Sequence, residues 1–276
     1  MQETSQLSNL QDEIRQRYDS LSKRLKQVAQ YVLDNNNSIV FDTVATIAER
    51  ADVPPSTLIR FANAFGFDGF NEMKQIFREN LMEETSNYTE RLQLSRKLAE
   101  NEPQETSRDI LNIFAQANSQ ALQKLAAQTS TQQLKQAVDI LKNANNIFII
   151  GLKRSFSIAC YLDYALHHLD CRSFVINGLG GMFDEQLNQV KKGDAVVAIS
   201  FSPYAQETLN IMNVTAQKGI KQIAITDSQI SPLLMFSDVS FVIKEAQVKG
   251  FRSQCASMTL VQTLAIALGL EKEQKA

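Results

Sequence analysis

Glycine and proline are scarce in this chain, at 10 and 5 of 276 residues. That scarcity excludes a collagen-like or low-complexity protein, since both need glycine- and proline-dense sequence. Long apolar runs are missing as well. None approaches the ~18 residues that cross a bilayer, and the opening stretch MQETSQLSNLQDEIRQRYDS lacks the apolar segment of a secretion signal. The expectation is a cytoplasmic protein with no membrane partner. Cysteine is limited to Cys160, Cys171 and Cys255, an odd number never spaced C-x-x-C, which argues against a disulfide framework or a zinc site. The three are expected in the core, and no metal or cofactor is expected. A net charge of −2 gives no whole-chain pull toward a polyanion.

What is present suits a globular protein of one large domain or two modest ones: 44% of residues are apolar and 21% charged. The first ~80 residues read as packed short helices, because apolar residues recur at steps of three and four, as in Leu21, Leu25, Val28 and Val32 and again in Val44, Ile47 and Ala48. A small basic group, Arg15, Arg17, Lys23, Arg24 and Lys26, is opposed in this reading only by Asp19. Between Leu81 and Asn101 apolar content thins, and Asn101-Glu-Pro103 supplies a helix stop, so a linker is expected there. A long amphipathic helix then runs over Ser107–Gln128.

After Thr131 helix and strand alternate, the pattern of a doubly wound α/β sheet. Expected strands are Ile147–Ile150, Ser173–Ile176, Ala195–Ser200, Gln222–Thr226 and Val239–Ile243, each short and apolar as befits strands covered on both faces. Expected helices are Ser155–Leu169, Phe183–Val190, Gln206–Lys218, a brief one at Pro232–Phe236 and a closing one over Cys255–Leu270. The fold class is therefore two-domain, an all-α N-terminal part and a three-layer α/β part with a five-stranded parallel sheet.

The segment Thr46-Ile-Ala-Glu-Arg-Ala-Asp-Val-Pro-Pro-Ser-Thr-Leu-Ile-Arg60 reads as two helices joined by a tight turn. Ile47, Ala48 and Ala51 form an apolar face, and Asp52-Val53-Pro54 ends the first helix with Val53 inward. Pro55 and Ser56 open the second, proline being suited to a first-turn position. Leu58, Ile59 and Phe61 are expected to bury, leaving Ser56, Thr57 and Arg60 on the outer N-terminal part. That is the layout of a helix-turn-helix offering its second helix to a major groove, where hydroxyls reach phosphates or base edges and arginine takes guanine or phosphate. An ordinary helical hairpin has the same spacing.

The run VATIAERADVPPSTLIRFANAFGFDGFNEMK, including Gly66-Phe-Asp-Gly-Phe70, closely resembles the N-terminal domain of RpiR-type bacterial transcriptional regulators over about Leu10 to Asn80. The resemblance implies DNA binding through Ser56, Thr57 and Arg60, with Phe67 and Phe70 as core anchors and Gly66 and Gly69 as turn residues of special backbone angle. Pro54-Pro55 departs from the family, which usually carries a serine there. Capping is left to Ser56 or Asp52.

Ligands of open α/β sheets bind beyond the carboxyl ends of the strands. Two such loops carry hydroxyls and lead into helices: Gly151-Leu-Lys-Arg-Ser-Phe-Ser157 after the first strand and Ser200-Phe-Ser-Pro-Tyr-Ala-Gln-Glu-Thr208 after the third. Together they suit a small anion, with Lys153 and Arg154 adding charge. Taken singly, Ser155, Ser200, Ser202 and Thr208 would also serve as plain helix caps. About Thr131 to Leu270 resembles the SIS, or sugar isomerase, domain that RpiR-type regulators carry behind their helix-turn-helix. The resemblance implies a sugar-phosphate effector at the positions that match the family's loops, Gly151, Ser155, Ser200 and Ser202; Lys153, Arg154, Tyr204 and Thr208 of the same two loops complete the expected effector set from their own chemistry. Lys153 replaces the second glycine of the family's first loop, and Pro203 and Ala205 replace a glycine and a threonine of the third, so a different anion, such as a sugar acid, is the alternative ligand.

Adjacent His167 and His168 do not suit a shared metal ion; one is expected at a surface or interface. Asn177-Gly-Leu-Gly-Gly181 misses the dinucleotide spacing and is expected only to line a site. Lys249 and Arg252 either face the ligand or pair with Glu245. The resulting expectation is a non-enzymatic regulator organised as 1–80 helix-turn-helix, 81–128 linker and connecting helix, and 129–270 SIS domain. It would be a dimer or tetramer that binds operator DNA and a phosphosugar. A sugar-phosphate isomerase using Glu207, Glu245, His167 or His168 as base is the rival.

Overall fold

The computed structural model describes residues 6–36, 38–84, 88–98 and 106–273. The expected helix stop at Asn101-Glu-Pro103 lies outside the described residues. The chain divides into two compact units, Met1–Gln104 with Lys249–Phe251, and Glu105–Val248 with Arg252–Ala276.

The first unit is helical: α1 (Gln6–Arg17), a 3-10 turn, α2 (Lys23–Asp34), α3 (Val44–Arg50), α4 (Pro55–Ala64), α5 (Phe70–Glu84) and α6 (Tyr88–Leu98). Apolar residues one turn apart build its core, for example Leu7, Leu10 and Ile14 of α1, Val28 and Val32 of α2, and Phe70, Met73 and Phe77 of α5. Thr43 accepts from the Thr46 amide at 3.1 Å and so caps α3. Helix α6 falls inside the stretch where thinning apolar content marks a linker; low apolar content did not prevent a helix from forming there.

The second unit opens with α7 (Ser107–Gln128), whose N-terminus is fixed by a reciprocal capping box between Thr106 and Asp109. Then come α8 (Thr131–Asn143), β1 (Ile147–Gly151), a 3-10 turn Lys153–Ser155, α9 (Phe156–His167), β2 (Ser173–Ile176), α10 (Phe183–Leu187), β3 (Ala195–Ile199), α11 (Gln206–Gln217) and β4 (Lys221–Thr226). The chain continues through β5 (Val239–Val242), the short strands β6 (Gln247–Val248) and β7 (Phe251–Arg252), and α12 (Cys255–Glu273). The main sheet has the order β2-β1-β3-β4-β5 and every pairing in it is parallel.

Alternate strand residues feed two cores, as the two-residue repeat requires. Ile147, Ile149, Val197, Ile199, Ile223 and Ile225 pack on one face with α8, α9 and α12 residues. Phe148, Ile150, Val196, Ala198 and Ala224 pack on the other with Leu187, Ile211 and Met212. β1 and β3 are buried along their whole length for that reason. The expected strands match to within one residue at each end. The β6–β7 pair has no counterpart among the expected strands. The cysteines depart from expectation: Cys160 and Cys171 are half-buried and Cys255 is exposed.

Candidate functional site

In the helical unit, α3 is closed by its C-cap Ala51, the chain turns at Asp52, which adopts a φ of +52°, and the Val53 amide returns to Ala48 O at 2.9 Å. Val53 is buried as expected. Pro54 occupies the N-cap of α4 with no side-chain cap, so neither Ser56 nor Asp52 takes that role; Pro55 supplies the first helical position. Ser56 and Arg60 are exposed. Two expectations fail here. Thr57 is buried, at 3% exposure, and Ile59 is 49% exposed. The inward stripe of α4 runs through 57, 58, 61 and 62, and the helical repeat therefore swings 59 outward whatever its residue type. After α4, Gly66 takes a φ of +83°, whereas Gly69 has no positive φ and needs no special conformation. Phe70 is buried and Phe67 packs against the same core.

The basic group is less free than its sequence suggests. Arg15 pairs with Asp12 and Arg17 with Glu13, both at 2.7 Å. Arg17 also lies 4.6 Å from the Phe65 ring centroid. These carboxylates stand three and four residues earlier on α1, where helix geometry brings them alongside.

In the sheet unit, β1 leads to β2 on one side and the chain then returns to β3 on the other, so the strand order reverses between β1 and β3. Crevices at such a reversal, beyond the carboxyl ends of the strands, are where open α/β sheets take ligands. Gly151 and Ile199 are register partners there, which sets the Gly151–Ser157 and Ser200–Thr208 loops side by side. A Cβ on Gly151 would fall 2.6 Å from Ser155 O and 3.1 Å from Ala159 Cβ. Glycine thus permits the close return of the chain into α9. Lys153 is exposed with a φ of +54°, Arg154 is half-buried and Ser155 is buried. Ser200 is buried, and Ser202, whose peptide bond to Pro203 is cis, and Tyr204 are half-buried. The alternative that these hydroxyls merely cap helices is not what the backbone does. Ser155 sits at the α9 N-cap without a side-chain cap bond, and the α11 N-cap is Ala205. Thr208, in the first turn of α11, is fully buried, and its Oγ1 has no hydrogen-bond partner.

Two residues that sequence reasoning did not single out each anchor one of these loops. Asp227, immediately after β4, accepts from the Ser202 amide at 3.1 Å, the Tyr204 hydroxyl at 2.7 Å and an Arg252 guanidinium nitrogen at 3.2 Å. Burial first, and the negative Asp227 after it, push the Tyr204 phenol above the ordinary tyrosine range. Gln254 donates to Arg154 O and accepts from Ser157 Oγ, each at 2.6 Å. The signal for Asp227 was available, since it too follows the carboxyl end of a strand. Arg252 pairs with Asp227 and not with Glu245, whose carboxylate accepts the Ala256 and Ser257 amides at 3.1 and 2.7 Å and caps α12.

His167 and His168 are both exposed, the first 3.6 Å from Asp163 and the second edge-on to Tyr164. Among the described residues no group of three or more His, Cys, Asp or Glu is placed to hold a metal ion, and no helix is long and apolar enough to cross a membrane. An open cavity of about 880 Å³ follows the β2 edge past Phe148, Phe174 and Asn177, but none of the β1- or β3-loop residues lines it.

The helix-turn-helix domain model of the rpiR family matches residues 8–84, and the SIS domain model matches residues 140–267. The chain is 27% identical over 266 residues to the "Bifunctional protein glk" of Burkholderia mallei, covering 95% of this chain and 40% of that protein. It therefore spans about 40% of the length of the first such relatives. An uncharacterised HTH-type transcriptional regulator of Caldanaerobacter subterraneus is 25% identical over 269 residues, covering 94% of this chain and 90% of that one. Among solved structures, the Vibrio vulnificus NanR protein complexed with ManNAc-6P is similar in fold, with a TM-score of 0.56 at 22% identity over 97% of this chain and 93% of that one.

Proposed function

Because the chain belongs to the RpiR-type family, joining that family's helix-turn-helix domain to a SIS domain, we propose that it is a transcriptional regulator that binds operator DNA and senses a small anionic metabolite. A sugar phosphate is the leading effector class. DNA is taken through the outer side of α4, with Ser56 and Arg60 as contacts; Thr57, being buried, leaves that set. The effector is taken at Gly151, Lys153, Arg154, Ser155, Ser200, Ser202, Tyr204 and Thr208.

One observation carries the effector assignment: two hydroxyl-bearing loops meet where the strand order reverses, and the buried Thr208 hydroxyl among them is unpartnered. An unsatisfied buried hydroxyl costs about 1–3 kcal/mol, a cost that an anionic or hydroxylated ligand would remove. The complex of NanR with ManNAc-6P supports the same ligand class. Sensing is favoured over turnover because Glu245 is spent on capping α12 and His167 stands beside Asp163 at the surface. The effector acts through linkage: it shifts operator affinity only as far as it binds the DNA-competent and incompetent states unequally.

The test has two parts. Repeated selection of duplexes from a random library should enrich one sequence, and a thermal-shift panel of sugars and their phosphates should raise the melting temperature with one phosphorylated member. Rapid isomerisation of that sugar phosphate by the purified chain would favour the enzyme reading.

A further inference from the structure

Helix α4 leaves Ser56, Ile59, Arg60 and Asn63 exposed. These are the i, i+3, i+4 and i+7 positions of one helical face. Behind them Thr57, Leu58, Phe61 and Ala62 are buried. The segment Pro55–Ala64 contains no acidic residue, and its one cation is Arg60, so the exposed row complements a polyanion. Ile59 is out of keeping with that row. Its branched aliphatic side chain is 49% exposed, gains nothing from a phosphate and leaves apolar surface in water. Asn63 instead serves the fold. With its amide nitrogen toward the two carbonyls, it donates to Ile59 O at 3.2 Å and Phe67 O at 2.9 Å, tying the helix to the turn that follows.

The major groove offers one apolar feature among the base edges, the thymine C5-methyl; the other edges present donors and acceptors. We propose that Ile59 is a specificity residue that packs on a thymine methyl beside the contact made by Arg60. The inference rests on the DNA-binding reading and adds to it which base the apolar position selects. Consecutive Cα atoms lie ~3.8 Å apart, close to the ~3.4 Å step along a DNA strand. The thymine therefore falls within a base pair or two of the Arg60 contact.

The experiment uses the full chain and the duplex it enriches from a random library. Each thymine of that duplex is replaced in turn by deoxyuridine, which removes only the methyl, and affinity is measured by fluorescence anisotropy at one salt concentration. One replacement per half-site should weaken the wild-type chain about fourfold, the worth of one buried methyl. The Ile59→Ala variant should bind the thymine duplex less tightly and show no further loss with deoxyuridine at that position. Ile59→Val should keep most of the difference. Ile59 is exposed, so the thermal midpoint of Ile59→Ala should stay at the wild-type value. Equal deoxyuridine effects on wild type and Ile59→Ala overturn the inference and leave DNA binding intact. A change of oligomeric state in Ile59→Ala with unchanged methyl dependence also overturns it, assigning the residue to a second copy of the chain. Failure to enrich any duplex removes the DNA-binding reading itself.

Discussion

The Tyr204 hydroxyl donates to Asp227 Oδ1 at 2.7 Å, and this bond ties the loop after β3 to the end of β4. Arg252 completes the arrangement on the Asp227 Oδ2 side at 3.2 Å. A carboxylate with three donors thus stands at the end of β4, and the charge of Arg252 is shared with the protein's own anion.

Removing the hydroxyl should loosen that tie. Tyr204→Phe is expected to destabilise the chain by about 1.5–3 kcal/mol, the range for a hydrogen bond to a charged group, as read from denaturant midpoints. The same residue makes an alkaline prediction. Its folded pKa is raised, chiefly by burial, whereas the unfolded phenol ionises near pH ~10. Its contribution to stability is therefore complete below that pH and is lost as pH rises toward the folded value. The tyrosinate absorbance of wild type minus Tyr204→Phe should show no transition in the ordinary tyrosine range while the chain stays folded. A transition there would contradict the burial.

Gly151→Ala places a Cβ 2.6 Å from a backbone oxygen, where relief requires movement of the 3-10 turn. Overpacking of this kind costs about 1–3 kcal/mol. Effector binding should weaken together with the thermal midpoint. A variant of wild-type stability would show that the return of the chain into α9 is looser than the geometry indicates.

Thr208→Val keeps the shape of the side chain and deletes a buried hydroxyl that has no partner. Stability of the ligand-free protein should therefore hold or rise by up to about 1 kcal/mol, and affinity for the effector should fall. Calorimetric titration checks the second half. Loss of stability without loss of effector affinity would make the hydroxyl structural.

Arg60→Ala should cost about 1–3 kcal/mol of discrimination at one base pair if the arginine holds a guanine, or weaken all duplexes alike if it holds a phosphate. Effector-induced thermal shifts should be unchanged in either case, because Arg60 is an exposed residue of the helical unit.

Much of the fold is legible in the sequence. Strands buried on both faces read as continuous apolar runs, and so β1, β3 and β4 are bounded to within a residue. The amphipathic pattern places α7 at Ser107–Gln128, the observed bounds, and the capping box of Thr106 with Asp109 fixes its first turn. Residue type misleads where it opposes position: Ile59 reads as inward for being apolar and Thr57 as outward for being polar, although 57 and 61 share a face and 59 does not. Asp227 is legible as a residue just beyond the end of β4, but which groups it binds is not. Its partners lie 23 and 25 residues away along the chain and come together only through the sheet order.

The central claim is that one small anion, held at the β1 and β3 loops, changes how tightly the chain holds its operator. Its most direct test is the dissociation constant of the enriched duplex, measured by anisotropy with and without the sugar phosphate that raises the melting temperature, for wild type and for Ser200→Ala with Ser202→Ala. The account predicts a shift of at least about fivefold for wild type, the lower end of ordinary coupling between sites, and none for the double variant. The same dissociation constant for wild type with and without a saturating effector would contradict it.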